Sequence, residues 1–310
     1  MDSTRAFLGS IGLPPGDLSS LPDSPLRFPD GAAFRIEIPS TEGPGCLEAV
    51  LDESAKRGVP VHRVSQGSGG FLLTDAELDE MVRIAADAHV EISLFAQPTA
   101  AWLPSAAARS EAGAVVGSSS YGQEGIVFAL DDIRRSAEHG IRSVLITDIG
   151  LLAAFQAMRE ARILPSDMQA KISVALPIAN PSTARVLVGL GANTLNVVTD
   201  LSLPQIAAIR AAVDVPIDFY IEAPDNQGGF VRLYELSELI RVAAPVYVKF
   251  GLRNAPNLYP SGTHLEATAI ALSRERVRRA QLAMEMIRRS DTPPVTSPPG
   301  AADLAVPVPP

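Results

Sequence analysis

The stretch KISVALPIANPSTARVLVGLGANTLNVV, residues 171–198, contains a complete strand–helix–strand unit. Two runs rich in Val, Ile and Leu flank a helical pattern over residues 181–190. Asn180-Pro181 places a capping residue before a proline that suits the first helical turn. A helix that joins two strands in this way is typical of a parallel sheet, because parallel strands need a long crossover connection.

The same unit occurs eight times along the chain. The predicted strands are residues 34–39, 60–65, 90–96, 142–147, 171–177, 193–198, 216–222 and 245–251. The helical patterns that follow them are residues 46–57, 75–88, 128–139, 150–162, 181–190, 203–213, 231–243 and 263–289. Eight strands that alternate with eight helices predict a single-domain (β/α)8 TIM barrel over residues 31–290. A doubly wound open sheet is the alternative, since a sequence does not show closure.

Three segments lie outside this regular pattern. Residues 98–127 form a long connection after the third strand and contain the only tryptophan, Trp102, which suggests either a substrate lid or a mobile surface loop. Residues 1–30 are predicted to be a loosely docked N-terminal extension. Residues 291–310 are rich in proline and lack periodicity, so we expect a disordered tail whose removal leaves the stability unchanged.

Composition limits the classes of partner and cofactor. The net charge is -9, from 35 acidic and 26 basic residues, which argues against a nucleic-acid partner. The arginines at 274–289 alternate with acidic and apolar residues, as on a solvated helix face. Cys46 is the only cysteine, so neither an intramolecular disulfide nor an iron–sulfur cluster held by cysteines can form. No signal-peptide or membrane-span pattern is present, so we expect a cytoplasmic protein with no membrane partner; a homo-oligomer is left open.

The strand at residues 216–222 alternates apolar and polar side chains. Outward residues of a barrel strand pack on helices, so Asp218, Tyr220 and Glu222 are predicted to point into the barrel. The same reasoning directs several polar residues of other strands inward, namely Arg35, Glu37, Glu91, Asn196, Tyr247 and Lys249. The orientation of Arg63 is ambiguous. Arg35, Glu91 and Asp218 lie low in the predicted barrel, where we expect a structural ion-pair network.

Catalytic groups of this fold lie at the C-terminal ends of the strands. We therefore predict Glu222 and Lys249, on neighbouring strands, to form a catalytic acid–base pair, with Asp225 beside them in the following loop. Predicted substrate-binding residues are Glu37, Asn196, Tyr220, Arg253, Asn254 and His264. A divalent metal held by Glu222, Asp225 and His264 is conceivable, so the metal content is left open.

Two longer stretches carry a resemblance to a known family. RIEIPSTEGPGCLEAVLDESAKRGVPVHRV and VALPIANPSTARVLVGLGANTLNVVTDLSLPQIAAIRAAVDVPIDFYIEA resemble the U32 family of collagenase-like peptidases, and the similarity covers roughly residues 34–250. The resemblance implies a barrel with its site at the C-terminal mouth and a peptidase or other hydrolase activity. Family members carry a His-Gly-Ala-Leu-Cys signature after strand seven, where this chain has Glu222-Ala-Pro-Asp225-Asn226.

Three functions are compatible with these features. The first is an enzyme, a lyase, isomerase or hydrolase, that acts on a small polar carboxylate-bearing molecule. In it Glu222 is the general acid or base, with Lys249 and Arg253 as charge partners. The second is a U32-type peptidase that uses water activated by a carboxylate or a metal. The third is a non-catalytic ligand-binding barrel or partner subunit. The convergence of many ionisable groups favours catalysis.

Overall fold

Eight parallel strands form a closed barrel in the computed structural model, which describes all 310 residues. The strands are β1 (Phe34–Pro39), β2 (Arg63–Gln66), β3 (Glu91–Phe95), β4 (Ser143–Ile146), β5 (Gln169–Ile172), β6 (Thr194–Asn196), β7 (Ile217–Glu222) and β8 (Val246–Phe250). The helices are α1 (Asp2–Ser10), α2 (Pro44–Arg57), α3 (Asp75–Ala88), α4 (Gly122–Glu138), α5 (Ile149–Glu160), α6 (Pro181–Gly189), α7 (Leu203–Arg210), α8 (Leu236–Ala243) and α9 (Glu266–Ile287).

The pairing of the first and last strands closes the barrel. Glu37 of β1 lies opposite Lys249 of β8, and the same residue lies opposite Arg63 of β2. Every strand pairs in parallel with its sequence neighbours, and a helix lies between successive strands. The predicted (β/α)8 barrel is therefore confirmed, and the open sheet is excluded.

The apolar core lies between the strands and the surrounding helices. Ile36, Val64 and Ile92, from three successive strands, belong to one buried cluster that also includes residues of α2 to α9. Side chains alternate along each strand, so the polar residues next to them point to the barrel axis. None of the nine helices combines the length and apolarity that crossing a membrane requires.

Strand β5 differs from its predicted bounds. It runs from Gln169 to Ile172, whereas the sequence pattern predicts a strand over 171–177. The chain turns directly after the strand, where the amide of Leu176 donates to the carbonyl of Ser173. Lys171 consequently lies within the strand rather than at its start, and its side chain is buried.

The long connection between β3 and α4 is folded into short turns. It contains three single 3-10 turns, Ala100–Trp102, Ala107–Arg109 and Ala114–Val116. The ring of Trp102 lies 5.8 Å, centroid to centroid, from the ring of Phe71 in the loop after β2. This contact joins two loops of the same barrel face. Whether the connection acts as a lid stays a prediction.

The N-terminal extension has two differently attached parts. Helix α1 has no buried residue, and Arg185 of α6 donates a hydrogen bond of 2.7 Å to the carbonyl of Ile11 just after it. The later part docks on the barrel, where the ring of Phe28 lies edge-on to Tyr247 at 5.3 Å. Phe28 also lies beneath the guanidinium of Arg35.

The C-terminal tail packs against the N-terminal end of the barrel, which corrects the expectation that residues 291–310 are disordered. Arg35 Nε donates to Ser297 Oγ at 2.8 Å, and its guanidinium also bonds the carboxylate of Asp303. The amide of Ala305 lies 3.4 Å from the carboxylate of Glu91. The tail needs no regular structure for this role, because it provides hydrogen-bond partners to charged groups at the barrel end.

Removal of residues 295–310 is expected to lower the free energy of unfolding by about 2–4 kcal/mol, because Arg35 would lose charge-assisted hydrogen bonds to Ser297 and Asp303. Urea unfolding measures this change. Removal of the exposed residues 309–310 alone is the control and should have no effect. Equal stability of the full-length and truncated chains would contradict the observed docking.

His62 makes the stability depend on pH. Its Nδ1 accepts from the amide of Ile36 at 3.0 Å and its Nε2 lies 2.9 Å from the carbonyl of Ser297, so the neutral ring satisfies both contacts. Burial lowers the pKa of His62 to about 4. Because the pKa falls on folding, this stabilisation is complete above pH 6.5 and is lost as the pH falls towards 4.

We expect the loss attributable to His62 to total about 3 kcal/mol between pH 6.5 and pH 4. Urea unfolding of the wild type and of His62→Gln across this range measures it. The glutamine can donate and accept but does not titrate, so the variant should show a shallower decline. Parallel declines in both proteins would show that His62 does not titrate as proposed.

Candidate active site in the barrel interior

Five charged side chains form a connected group inside the barrel, which we call the interior network. They are Glu37, Arg63, Lys171, Asp218 and Lys249, all almost fully buried. They come from five different strands, β1, β2, β5, β7 and β8. For Glu37, Lys171, Asp218 and Lys249 the inward orientation follows from strand alternation, because the residues on either side of each are apolar and pack on the helices. Arg63 has the apolar Val64 on one side only and His62 on the other.

Glu37 is the centre of the interior network. Its carboxylate lies 3.3 Å from Arg63 Nε, 3.2 Å from Lys249 Nζ and in direct contact with Lys171 Nζ. It also accepts a hydrogen bond of 2.7 Å from Ser65 Oγ. Burial alone would raise the pKa of Glu37, but the three surrounding cations outweigh it and hold that pKa well below the usual range.

Asp218 links the other side of the network. Its carboxylate lies 3.2 Å from the guanidinium of Arg63 and 3.1 Å from Lys171 Nζ. Burial, together with the positive charge of Arg63, lowers the pKa of Lys171 to about 8. The guanidinium of Arg63 also stacks on the ring of Tyr247 and lies 3.6 Å from Glu91. The carboxylates and cations of the interior thus balance each other at neutral pH.

Lys249 lies at the end of the network nearest the C-terminal mouth. Its ammonium is 4.4 Å from the centroid of the Tyr220 ring. When the Asn196 amide is oriented to satisfy both of its groups, its oxygen accepts from Lys249 Nζ at 2.9 Å and its nitrogen donates to the carbonyl of Asp218. Burial raises the pKa of Tyr220, so its phenol stays protonated. A carboxylate, an amide and an aromatic ring therefore hold one ammonium in place.

Glu222 and Lys249 do not form the contact that the sequence predicts. Tyr220 lies opposite Lys249, and a register shift after it places Glu222 opposite Phe250, which packs in the apolar core between strands and helices. The Glu222 carboxylate instead lies 3.3 Å from Arg279 Nε of α9 and accepts from the amide of Arg253. The predicted ion pair is wrong for this reason. A catalytic role of either residue stays a prediction.

The remaining predicted site residues lie in two loops at the mouth. Asp225 lies 3.6 Å from Arg253 Nε and accepts a hydrogen bond from the amide of Asn254, so the loops after β7 and β8 are joined. Arg253, Asn254 and His264 are exposed. No three His, Cys, Asp or Glu side chains anywhere in the chain are grouped as metal ligands, so Glu222, Asp225 and His264 do not form the conceived metal site.

Two features of the site differ from the sequence interpretation. Lys171 is absent from the predicted site, although Gln169 and Lys171 alternate with Ala170 and Ile172 as in an amphipathic strand. The arginine cluster of α9 is not wholly a solvated face. Arg276 is buried, and Arg279 forms an ion pair with Glu222. Helical spacing alone does not show which arginine of such a cluster turns inward.

Comparisons with known proteins show the architecture. No family model matches the sequence. No curated protein matches it. The structure of a proposed fructose-1,6-biphosphate aldolase from Coccidioides immitis is 16% identical, with a TM-score of 0.50 over 84% of this chain and 92% of that one.

Two further solved structures are more distant. A proposed lyase or mutase from Burkholderia cenocepacia is 18% identical, with a TM-score of 0.45 over 84% of this chain and 85% of that one. A U32 peptidase is 16% identical, with a TM-score of 0.41 over 64% of this chain and 73% of that one. The closed strand pairing defines this protein as a (β/α)8 barrel, and the aldolase structure with the TM-score of 0.50 agrees with that fold. The likeness to the U32 peptidase is distant and structural, and no family membership follows from it.

Proposed function

We propose that this protein is an enzyme that acts on a small, polar, carboxylate-bearing molecule by general acid–base chemistry. The observation that carries the proposal is the position of Lys249. It lies at the C-terminal end of β8, where active sites of this fold occur, and Glu37, Asn196 and Tyr220 hold its ammonium. A fixed cation in a dry site stabilises developing negative charge far more strongly than one in water.

The chemistry that suits these groups is proton transfer next to a carbonyl or carboxylate, as in a lyase or an isomerase. Lys249 would stabilise the negative charge that develops on a substrate oxygen. Tyr220, which stays protonated, would donate a hydrogen bond to that oxygen. Glu222, two positions beyond Tyr220, is our proposed base, with Arg279 and the Arg253 amide holding its carboxylate in place.

A peptidase with a nucleophile that depends on histidine or cysteine has little support from the site. Both ring nitrogens of His62 already bind backbone groups, which leaves none to activate a nucleophile. Burial raises the pKa of the Cys46 thiol, which disfavours the reactive thiolate. We therefore favour acid–base chemistry on a small molecule over nucleophilic peptide hydrolysis.

Hydrogen–deuterium exchange tests the proposal across a panel of candidate substrates. The protein is incubated in D2O with small 2-oxo, 2-hydroxy and amino carboxylates, and proton NMR follows the carbon-bound proton that acid–base chemistry would remove, on C3 of the 2-oxo acids and on C2 of the others. Saturation-transfer NMR on the same samples identifies which compounds bind. We expect at least one bound compound to lose its signal. Binding without any exchange or conversion would instead support the ligand-binding barrel.

A further inference from the structure

Arg276 of α9 is a buried guanidinium that forms no ion pair. Its residue is 4% exposed, and no carboxylate oxygen lies within 4 Å of it. Its single hydrogen bond runs from one terminal nitrogen to the carbonyl of Ser40 at 3.4 Å, and its Nε has no partner. Buried charges in proteins are normally paired, so this arrangement indicates a missing anionic partner.

Two other buried arginines, Arg159 and Arg210, also have no carboxylate within 4 Å, but each donates at least three hydrogen bonds to carbonyl oxygens. Arg35 bonds the carboxylate of Asp303 in the tail, and Arg63 bonds carboxylates inside the barrel. Arg210 donates to the backbone carbonyls of Val213, Val215 and Ala243, which close the end of α7. Nε is unpartnered in Arg63, Arg210 and Arg279 as well, so Arg276 is distinguished by a guanidinium that makes a single long hydrogen bond and no ion pair.

The guanidinium of Arg276 lies at the C-terminal mouth. Ser40, its acceptor, directly follows β1, and the Ser40 hydroxyl contacts the hydroxyl of Tyr259 in the loop after β8. The positive charge of Arg276 also opposes the rise that burial causes in the pKa of Tyr220. The guanidinium thus reaches from the outer helix to the side of the barrel that holds Lys249 and Tyr220.

The nearby carboxylate of Glu42 attracts Arg276 electrostatically but does not contact it, because its oxygens are hydrogen-bonded elsewhere. Both of its oxygens accept hydrogen bonds from the loop after β2, at 2.8 Å from the amide of Gly67 and 3.2 Å from that of Ser68. Arg253, the arginine that the sequence favours for substrate binding, is 55% exposed at its side chain and faces Asp225. Arg276 is the better anion-binding group, because it is more desolvated and its donors are free.

We propose that Arg276 binds an oxyanion, a carboxylate or a phosphate, of the molecule that occupies the mouth site. This inference rests on the proposed function only in assigning the anion to the substrate. A planar guanidinium with free donors suits an oxyanion, which it can hold through two parallel hydrogen bonds. The proposal makes Arg276 a substrate-binding residue and Lys249 the group that acts on the reacting end.

Calorimetric titration with inorganic phosphate and, separately, with succinate tests the proposal and distinguishes the two kinds of anion. The wild type should bind at least one of them. Arg276→Met should weaken that binding by about tenfold to a hundredfold, and Arg276→Lys by several-fold, because an ammonium lacks the planar fork. Arg278→Met is the matched control on the same helix, where Arg278 is ion-paired with Glu275 and half-exposed.

Several outcomes would overturn the proposal. They are no binding of either anion to the wild type, unchanged affinity in Arg276→Met, or a loss of affinity in Arg253→Met alone. If Arg276→Met does not fold, Arg276→Lys decides, and an unchanged affinity there refutes the role. Anion binding is measured without turnover, so the two proposals can fail separately. If Arg276→Met loses anion binding while Lys249→Met keeps normal proton exchange, the catalytic proposal is refuted and the anion site is supported.

Discussion

Lys249→Met is expected to lower the rate of proton exchange on the bound substrate by about a hundredfold to ten-thousandfold, because it removes the cation that stabilises negative charge in a dry site. The barrel should remain folded. Glu37 keeps Lys171 and Arg63 as partners, and methionine fills nearly the same volume. The D2O exchange assay measures the rate, and circular dichroism checks the fold.

The matched control for Lys249→Met is Lys56→Met, since the side chain of Lys56 on α2 is 72% exposed and lies outside the barrel. It should exchange at the wild-type rate. Substrate affinity, measured separately, distinguishes a chemical role from a binding role, because loss of a transition-state interaction lowers the rate at saturating substrate. If folded Lys249→Met exchanges protons at the wild-type rate, Lys249 has only a structural role in the interior network.

The alternation of apolar and polar residues along the predicted strands was sufficient to predict most of the fold and part of the site. It placed Asp218 and Tyr220 on the inner face of β7, because the apolar neighbours of each must pack on helices. It also placed Glu37 and Lys249 inside the barrel, and the structure shows them opposite each other where β1 and β8 meet to close it. These inferences use local periodicity and one global condition, closure, and both are visible in a sequence.

The errors come from information that local periodicity lacks. The register sets Tyr220 opposite Lys249, and a one-residue shift beyond it pairs Glu222 with the core residue Phe250. Such a shift depends on backbone geometry rather than on residue type. The sequence analysis did not predict Lys171 as a site residue, because the turn at Ser173 ends β5 earlier than its apolar run suggests. The tail packs through hydrogen bonds to Arg35, which the composition of a proline-rich segment cannot reveal.

Glu37→Gln is expected to lower the free energy of unfolding by about 3–5 kcal/mol, because it leaves buried cations without their shared counter-charge. After the change, Asp218 and Glu91 would face Arg63, Lys171 and Lys249. Urea unfolding measures the loss as a lower midpoint at unchanged slope. Glu138→Gln, at an exposed pair on α4, is the control and should cost less than about 0.5 kcal/mol.

A second substitution tests whether charge imbalance is the cause. Glu37→Gln combined with Lys171→Met restores equal numbers of interior charges, so the double variant should be more stable than Glu37→Gln alone. The single variant should also be less destabilised at pH 9 than at pH 6. The pKa of Lys171 is already lowered to about 8, and without Glu37 it falls further, so this lysine becomes neutral at the higher pH. A double variant no more stable than the single one, or a cost independent of pH, would show that Glu37 acts through packing rather than through its charge.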